Sequence, residues 1–365
     1  MSATKERVVL AMSGGVDSSV SAYLLARQGY DVVGVTMRLY VCPDEGTRRC
    51  CSVKDREDAK EVAKRLGIAH VVIDGTQVFK DKVIKPFVDA YLQGLTPSPC
   101  VLCNQHVKAK MLAEQAHVFG ARFIATGHYA RVVRSGGRAV LCRARDRAKD
   151  QSYFLFSIGE DCLERLLLPV GDYTKEDIRS IARDIGLCVS DKPDSQEICF
   201  VPKEGYVPLV EQMAPERLRG SGDFVDIEGR RLGTHRGIHA YTVGQRKGLG
   251  IALGTRQYVV SIRPERNEVV LGDEKALLRT TFMVQHVSFL CKECKTAFER
   301  GETLTRLVQI RSRHRARPAR VTKVGDEIAE VQFFEPQTAI APGQAAVFYD
   351  GERVCGGGFI ARDVL

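Results

Sequence analysis

Val8-Val9-Leu10-Ala11-Met12-Ser13-Gly14-Gly15-Val16-Asp17-Ser18-Ser19 runs from a strand through a sharp turn into a helix. Val8 to Ala11 make the short apolar run that a buried strand needs, and from Asp17 to Arg27 the residues Val20, Leu24 and Leu25 recur on one helical face. Between them, Gly14 and Gly15 let the backbone turn tightly and bring its N–H groups close to a ligand, while Ser13 and Ser18 add hydroxyl donors. The helix that follows supplies free amides and the positive end of its dipole, so the stretch reads as a pyrophosphate cradle. It is not a Walker A loop, because no Gly-Lys-Ser/Thr follows at the required spacing. The competing reading is a plain strand-to-helix turn in which Asp17 or Ser18 caps the helix.

Outward from this loop, strand and helix signals alternate. Val32 to Met37 reads as a second strand, Val53 to Leu66 as a charged helix with Ala59, Val62, Ala63 and Leu66 inward, and Val71-Val72-Ile73 as a third strand. Helical stretches over Val78–Leu92 and Gln105–Phe119 precede the strand Phe123-Ile124-Ala125. The alternation predicts an α/β domain with a mostly parallel sheet covered on both faces. Beyond about residue 205 short β-branched runs take over: Tyr258–Ile262, Glu268–Leu271, Thr281–Phe289, Leu304–Arg313, Ala319–Val324, Glu327–Phe333 and Ala345–Tyr349. Their spacing predicts an antiparallel barrel or sandwich. The Gly-rich stretch from Arg236 to Ile251 belongs to a small middle domain. The expected division is 1–204, 205–277 and 278–365.

The length of 365 residues suits two or three domains. With 44% hydrophobic and 27% charged residues, a core can form without disulfide stapling. No run of about 18 apolar residues exists, which excludes a membrane-spanning helix, and the early start of the first strand leaves no room for a leader. Against 45 acidic residues stand 54 basic ones, a net charge of +9 that suits an anionic partner. Twelve cysteines without a secretion signal point to thiol or metal chemistry in a cytoplasmic enzyme.

The Ser-Gly-Gly-Val-Asp-Ser motif resembles that of the PP-loop ATP pyrophosphatases, which cleave ATP to AMP and pyrophosphate and attach the AMP to a substrate oxygen. Two cysteine segments narrow the choice. Thr96-Pro-Ser-Pro-Cys100-Val-Leu-Cys103-Asn104 is a stiff Pro-rich loop ending in Cys-x-x-Cys at a helix start, where Cys103 is expected to have thiolate character. A second thiol lies in Asp194-Ser195-Gln196-Glu197-Ile198-Cys199-Phe200. Together with Ala125-Thr-Gly-His128-Tyr, Lys149-Asp150-Gln151-Ser152-Tyr153-Phe154, Gly244-Gln-Arg-Lys-Gly-Leu-Gly250 and Pro342-Gly343-Gln344-Ala345-Ala346-Val347-Phe348-Tyr349, these segments resemble the tRNA-specific 2-thiouridylase family along essentially the whole chain.

That resemblance implies ATP-dependent 2-thiolation of the wobble uridine in lysine, glutamate and glutamine tRNAs, with Mg²⁺ assisting and a cysteine desulfurase or sulfur-relay protein as donor. It implies Cys103 as nucleophile and Cys199 as persulfide carrier, with a transient disulfide between them. It implies ATP contacts from Ala11, Met12, Ser13, Gly14, Gly15, Val16, Asp17, Ser18, Met37 and Gly127. tRNA contacts fall on Ser98, Pro99, Cys100, His128, Lys149, Asp150, Gln151, Arg311, Ser312 and Gln344. Asp17 is also a candidate Mg²⁺ contact. Many family members carry an acid where this chain has Cys100. The thiol there is either a proton-transfer group or, with Cys103 and Cys199, a ligand of a [4Fe–4S] cluster that carries the sulfur on an open iron. Both routes stay open at this point.

Chemically, oxide is too poor a leaving group to be exchanged directly; adenylation turns the uridine O2 into a phosphate ester, and AMP then departs. Phosphate contacts are expected from Arg306, Arg311, Arg313, Arg315, Arg317, Arg320 and Lys323, since no acid interrupts Thr303 to Gly325. The period-two spacing of Arg311, Arg313, Arg315 and Arg317 predicts one strand face. A second basic group is Arg131, Arg134, Arg138, Arg143 and Arg145, and a flipped-out base is expected. Cys142, Cys162 and Cys188 read as core. Cys291-Lys-Glu-Cys294 lacks a second pair, with Cys355 a poor completion, so an incidental role is expected; Cys50-Cys51 reads as solvated or packed. Two other classes remain: a PP-loop ligase of a small metabolite, and a non-enzymatic RNA-binding or iron–sulfur scaffold.

Overall fold

The computed structural model describes residues 5–40, 53–194, 197–251 and 254–362; Cys50, Cys51, Ser195 and Gln196 lie outside the described residues. The chain forms two compact units, one of residues 1–83, 100–200 and 352–354, the other of 84–99, 201–351 and 355–365.

The first unit holds β1 (Arg7–Ala11), β2 (Asp31–Arg38), β3 (Ala69–Asp74), β4 (Phe123–Ala125), β5 (Ala130–Ser135), β6 (Arg138–Arg143) and β7 (Leu166–Leu167). Its sheet runs β3-β2-β1-β4-β7 with every pair parallel. Val8, Val9 and Leu10 are fully buried, as a strand covered on both faces requires. The helix Val16–Arg27 turns Val16, Val20, Leu24 and Leu25 into this core, and the helix Val53–Leu66 adds Ala59, Val62 and Ala63. Strand order reverses at β1: β2 and β3 lie to one side, β4 and β7 to the other. Loops leaving β1 and β4 therefore diverge, and a crevice opens at their carboxyl ends.

Helical structure begins earlier than the apolar pattern indicates. Pro99–Cys103 is already helical, a wider π turn follows over Asn104–Lys108, and Ala109–Val118 completes the run. Proline is at home in the first helical turn, where its missing N–H leaves no bond unmade. Cys100 and Cys103 thus share one turn.

The second unit contains β8 (Gly222–Val225), β9 (Arg231–His235), β10 (Tyr258–Arg263), β11 (Glu268–Gly272), β12 (Leu278–Phe289), β13 (Leu304–Gln309), β14 (Arg317–Gly325), β15 (Ile328–Thr338), β16 (Ala345–Asp350) and β17 (Arg353–Ile360). A small sheet, β10-β11-β8-β9, packs on Phe224, Ile238, Tyr241 and Val259. The strands β12-β15-β14-β13-β16-β17 close into a barrel through the β12–β17 pairing, so the barrel alternative is the one formed. Along β15, Ala329, Val331 and Phe333 point inward between exposed residues.

One expectation fails here. The strand predicted over Leu304–Arg313 stops at Gln309. Buried Gln309 donates its side-chain amide to the carbonyls of Arg311 (3.1 Å) and Ser312 (3.0 Å), and the His314 N–H bonds back to the Arg311 carbonyl at 3.0 Å. These bonds fold 310–316 into a turn. Arg311, Arg313 and Arg315 therefore lie on a turn, and only Arg317 begins a strand.

Candidate active site

At the carboxyl end of β1 the backbone of Gly14 has φ +71°, and a Cβ there would stand 2.0 Å from the Asp55 carbonyl oxygen. Only glycine fits. Gly15 caps the helix Val16–Arg27 without a side-chain cap bond, so no side chain competes for the first-turn amides in that role. The Ser18 hydroxyl turns back instead, accepting from the Ser13 N–H (3.1 Å) and donating to the Gly15 carbonyl (3.1 Å). Asp17 does not cap either: it accepts from the Tyr129 hydroxyl at 2.8 Å and from Lys175 Nζ at 2.7 Å. With the capping alternative gone, the loop retains what an anionic ligand needs. The opposite wall is Gly127, after β4, where a Cβ would come 2.8 Å from the Ser18 nitrogen. Met12 and Met37 are buried behind the loop, and the Thr36 hydroxyl fixes the Met12 carbonyl at 2.8 Å.

Two lysines that sequence reasoning did not single out organise the charge. Lys192 Nζ donates to the Gly14 carbonyl (2.8 Å), Asp55 (2.6 Å) and Asp58 (2.6 Å). Burial works against its charge, but the two carboxylates win and raise its pKa. Lys175 bridges Asp17 to Asp194 (2.8 Å), and Asp194 also meets Lys149 at 2.7 Å and Arg179 at 3.0 Å. Although burial alone pushes the Asp194 carboxyl upward, the ammonium groups of Lys149 and Lys175 bring it down to about 2. Burial, then the neighbouring Asp17 carboxylate, pushes the Tyr129 phenol well up, so it stays a neutral donor. The only hint in the sequence was the charged run Asp191-Lys192-Pro193-Asp194 just before the second thiol segment.

Cys100 is exposed, Cys103 buried and Cys199 half-buried. Next to Cys199, fully buried Phe200 meets Tyr40, beyond β2, at a centroid distance of 6.5 Å and Phe79, beyond β3, at 5.6 Å. Lys192 and Asp194 thus sit at the phosphate loop, and Phe200 at the carboxyl ends of β2 and β3. On the other wall, Asn104 donates to the Phe154 carbonyl at 3.0 Å, and its buried Oδ1 has no partner. A small cavity between Asn104, Lys108, Thr126 and His128 separates the helix carrying Cys103 from the segment after β4. Thr126 bonds His128 Nδ1 at 2.7 Å, and desolvation with Lys108 nearby holds the imidazole neutral, well below its usual pKa.

The cysteine reading needs two corrections, the first being that Cys188, expected in the core, is exposed. Cys355 is not a poor completion of Cys291 and Cys294: the β12–β17 pairing brings all three thiols within 4.8 Å of one another. Among the described residues Cys100, Cys103 and Cys199 do not make up such a set. Side-chain bonds from Cys291 and Cys355, with Arg306, hold the Cys294 thiol far below its usual pKa.

The remaining residues are placed as follows. Gln344 donates its amide to the Thr96 and Pro97 carbonyls, both at 3.0 Å, and so steadies the loop carrying buried Ser98 and Pro99. Asp150 is committed to Arg143 (3.0 Å), the Ala144 N–H (3.0 Å) and Ser152 (3.0 Å). Gln151 clasps Tyr129 through its side chain (2.9 Å) and its own N–H (2.7 Å). Arg311 reaches the Thr338 carbonyl at 3.5 Å. In the second basic group, Arg131, Arg134 and Arg143 pair with Glu352, Glu164 and Asp150. Arg313, Arg315, Arg317 and Arg320 are exposed, and none pairs with a carboxylate among the described residues.

Family models match in three successive stretches: a "tRNA methyl transferase HUP domain" over residues 6–203, a "tRNA methyl transferase PRC-barrel domain" over 209–273 and an "Aminomethyltransferase beta-barrel domain" over 279–360. The chain is 46% identical to the tRNA-specific 2-thiouridylase MnmA of Carboxydothermus hydrogenoformans, covering 98% of each chain. It is 45% identical to that of Clostridium acetobutylicum, over 97% of this chain and 99% of the relative. Against the Rickettsia canadensis protein identity is 45%, over 98% and 96%. With a phosphate loop at the sheet's switch point, a thiol-bearing segment anchored on it, and likeness over nearly its full length, the chain belongs to the tRNA-specific 2-thiouridylase family.

Proposed function

We propose that this protein is an ATP-dependent sulfurtransferase that converts the wobble uridine of lysine, glutamate and glutamine tRNAs to 2-thiouridine. The observation that carries the proposal is the anchoring of the Cys199 segment on the phosphate loop through Lys192 on Gly14 and through Asp194, Lys175 and Asp17. This supports a reading in which nucleotide and sulfur chemistry share one end of one sheet. Domain boundaries at 204/205 and 277/278 are part of the same proposal, supported by the ranges of the matching family models.

In this reading ATP sits with its phosphates on residues 11–18, against Met37 and Gly127, and the loop amides stabilise charge on the departing pyrophosphate. Mg²⁺, when bound, shares that charge. Asp17 accepts from Lys175 on both oxygens and from Tyr129 on one, which leaves Oδ2 a lone pair for a metal. The uridine O2 attacks the α-phosphorus, and pyrophosphate leaves. The outer sulfur of a Cys199 persulfide then attacks C2 and AMP departs with the original O2. Cys103 thiolate attacks the Cys199 sulfur, leaving the thiocarbonyl on the base and a Cys103–Cys199 disulfide, which an external dithiol reduces. Equivalently, Cys103 attacks first and the released hydrosulfide meets C2; the products are the same. Cys100 serves as the proton-transfer group. The thiol relay is adopted because it needs only these thiols and an external dithiol; a [4Fe–4S] cluster on Cys100, Cys103 and Cys199 is the alternative, and iron with inorganic sulfide in the active protein would favour it. The sulfur reaches Cys199 from a cysteine desulfurase or relay protein, and Ser98, Pro99, Cys100, His128, Lys149, Asp150, Gln151, Arg311, Ser312 and Gln344 form or support the tRNA surface, in the cytoplasm.

The test is nucleoside mass spectrometry of tRNA incubated with the protein, ATP, Mg²⁺, a desulfurase with cysteine, and a dithiol. 2-Thiouridine is expected from the wild type and none from Cys103→Ser or Cys199→Ser. Its absence from a sulfur-charged wild type refutes the proposal, and AMP formation from a small metabolite without tRNA would point to the ligase class.

A further inference from the structure

Cys291, Cys294 and Cys355 take no part in that chemistry. Cys291 and Cys294 bracket the start of the helix Lys292–Glu299 just after β12, and Cys355 lies in β17, whose carbonyl there accepts from the N–H groups of Leu290 (2.8 Å) and Cys291 (3.2 Å). All three are buried, with 1–3% of their surface exposed. The Cys294 N–H donates to the Cys291 sulfur at 3.4 Å, and Arg306 from β13 donates Nη2 to the Cys294 sulfur at 3.3 Å.

We propose that these three thiols bind a zinc ion that ties the end of β12 to β17. Zinc–thiolate bonds of about 2.3 Å in a tetrahedron set the sulfurs about 3.8 Å apart, which a group already within 4.8 Å reaches by small adjustment. The charges also match. Three thiolates and Zn²⁺ leave one negative charge, and Arg306 supplies the positive one. Neutral thiols give no such reason for a guanidinium here, least of all one whose Nε is buried without a partner. A disulfide between any two would leave the third thiol and the arginine unanswered. The N–H bond to Cys291 is of the kind that orients metal-bound thiolates. A water molecule takes the fourth position and keeps this charge balance; Glu293 Oε2, which accepts from the Cys291 thiol at 3.2 Å, is the acceptor that the thiol gives up on losing its proton. Binding releases to solvent the protons that the thiols still carry, and no redox step is involved.

The experiment is elemental analysis of the full-length chain purified under reducing conditions with zinc sulfate. About one zinc per chain is expected, lost in Cys294→Ser and retained in the Cys100→Ser/Cys103→Ser/Cys199→Ser variant. Because Cys294→Ser can fail through misfolding, Co²⁺ is also titrated into metal-stripped wild type. A sulfur-to-cobalt charge-transfer band that zinc abolishes is the expected result. Less than about a tenth of an equivalent of zinc with no cobalt band overturns the proposal. So does zinc that follows Cys103 rather than Cys294, iron with inorganic sulfide on these thiols, or a disulfide within the trio in the reduced preparation.

Discussion

Replacing Lys192 by methionine keeps the aliphatic stem and removes an ammonium that holds Gly14, Asp55 and Asp58 at once. The lysine side chain is 26% exposed and the two aspartates 12% and 19%, so water only partly replaces what is lost. Hydrogen bonds to charged groups are worth about 1.5–3 kcal/mol each; discounted for that exposure, the substitution costs about 2–4 kcal/mol, much of it from two carboxylates left facing each other. For a unit of this size that lowers Tm by about 5–12 °C. Calorimetry checks this, and titration of ATP checks the second consequence: with the Gly14 carbonyl released, affinity falls by about tenfold or more. Lys192→Met/Asp55→Asn/Asp58→Asn removes the orphaned charges and should recover most of the stability but not the ATP affinity. If the single variant melts within about a degree of wild type, or if the triple variant regains both properties, the ammonium does not organise this loop.

Gly127→Ala puts a methyl group 2.8 Å from the Ser18 nitrogen, so the walls of the crevice must part; ATP affinity should fall while far-ultraviolet circular dichroism stays unchanged. Asp194 is held at about 2 against 3.8 when unfolded, so its stabilisation is complete above about pH 4 and lost as pH falls towards 2. Urea midpoints across that range should fall less steeply in Asp194→Asn. Neutralising Arg313, Arg315 and Arg317 together should weaken tRNA binding and flatten the log–log salt dependence by about 2, measured by filter binding; an unchanged slope removes the turn from the RNA surface.

The phosphate loop was legible because its signals are local: two glycines, flanking hydroxyls and the change from strand to helix period all fall within a dozen residues. The run of antiparallel strands was legible for the same reason, from short β-branched runs between turn residues, whereas the choice of barrel over sandwich came only with the β12–β17 pairing. The arginine row misled because period two was counted across a turn. Gln309 and His314, polar residues inside the same window, spend their side chains on its backbone and break the strand.

Most of what separates a bare loop from a site was not local. Asp17, read as an ATP and Mg²⁺ contact with helix capping as the competing role, is an ion-pair partner of Lys175, far down the chain, a partnership that depends on how two helices pack. Cys355 looked stranded because spacing rules count along the chain, whereas β12 and β17 lie side by side only once the barrel closes. Cys199 was isolated in the sequence for the same reason. Its segment carries an ammonium on Gly14 at one end and a buried ring beside Tyr40 and Phe79 at the other. Neither anchor is a motif. Cutting the Phe200 anchor should cost sulfur transfer more than adenylation, because the phosphate-loop amides stay in place when Phe200 is truncated, whereas the Cys199 segment loses its contact with Tyr40 and Phe79. Phe200→Ala should therefore still release pyrophosphate with tRNA present while yielding little 2-thiouridine, and equal losses in both assays would refute this division of labour.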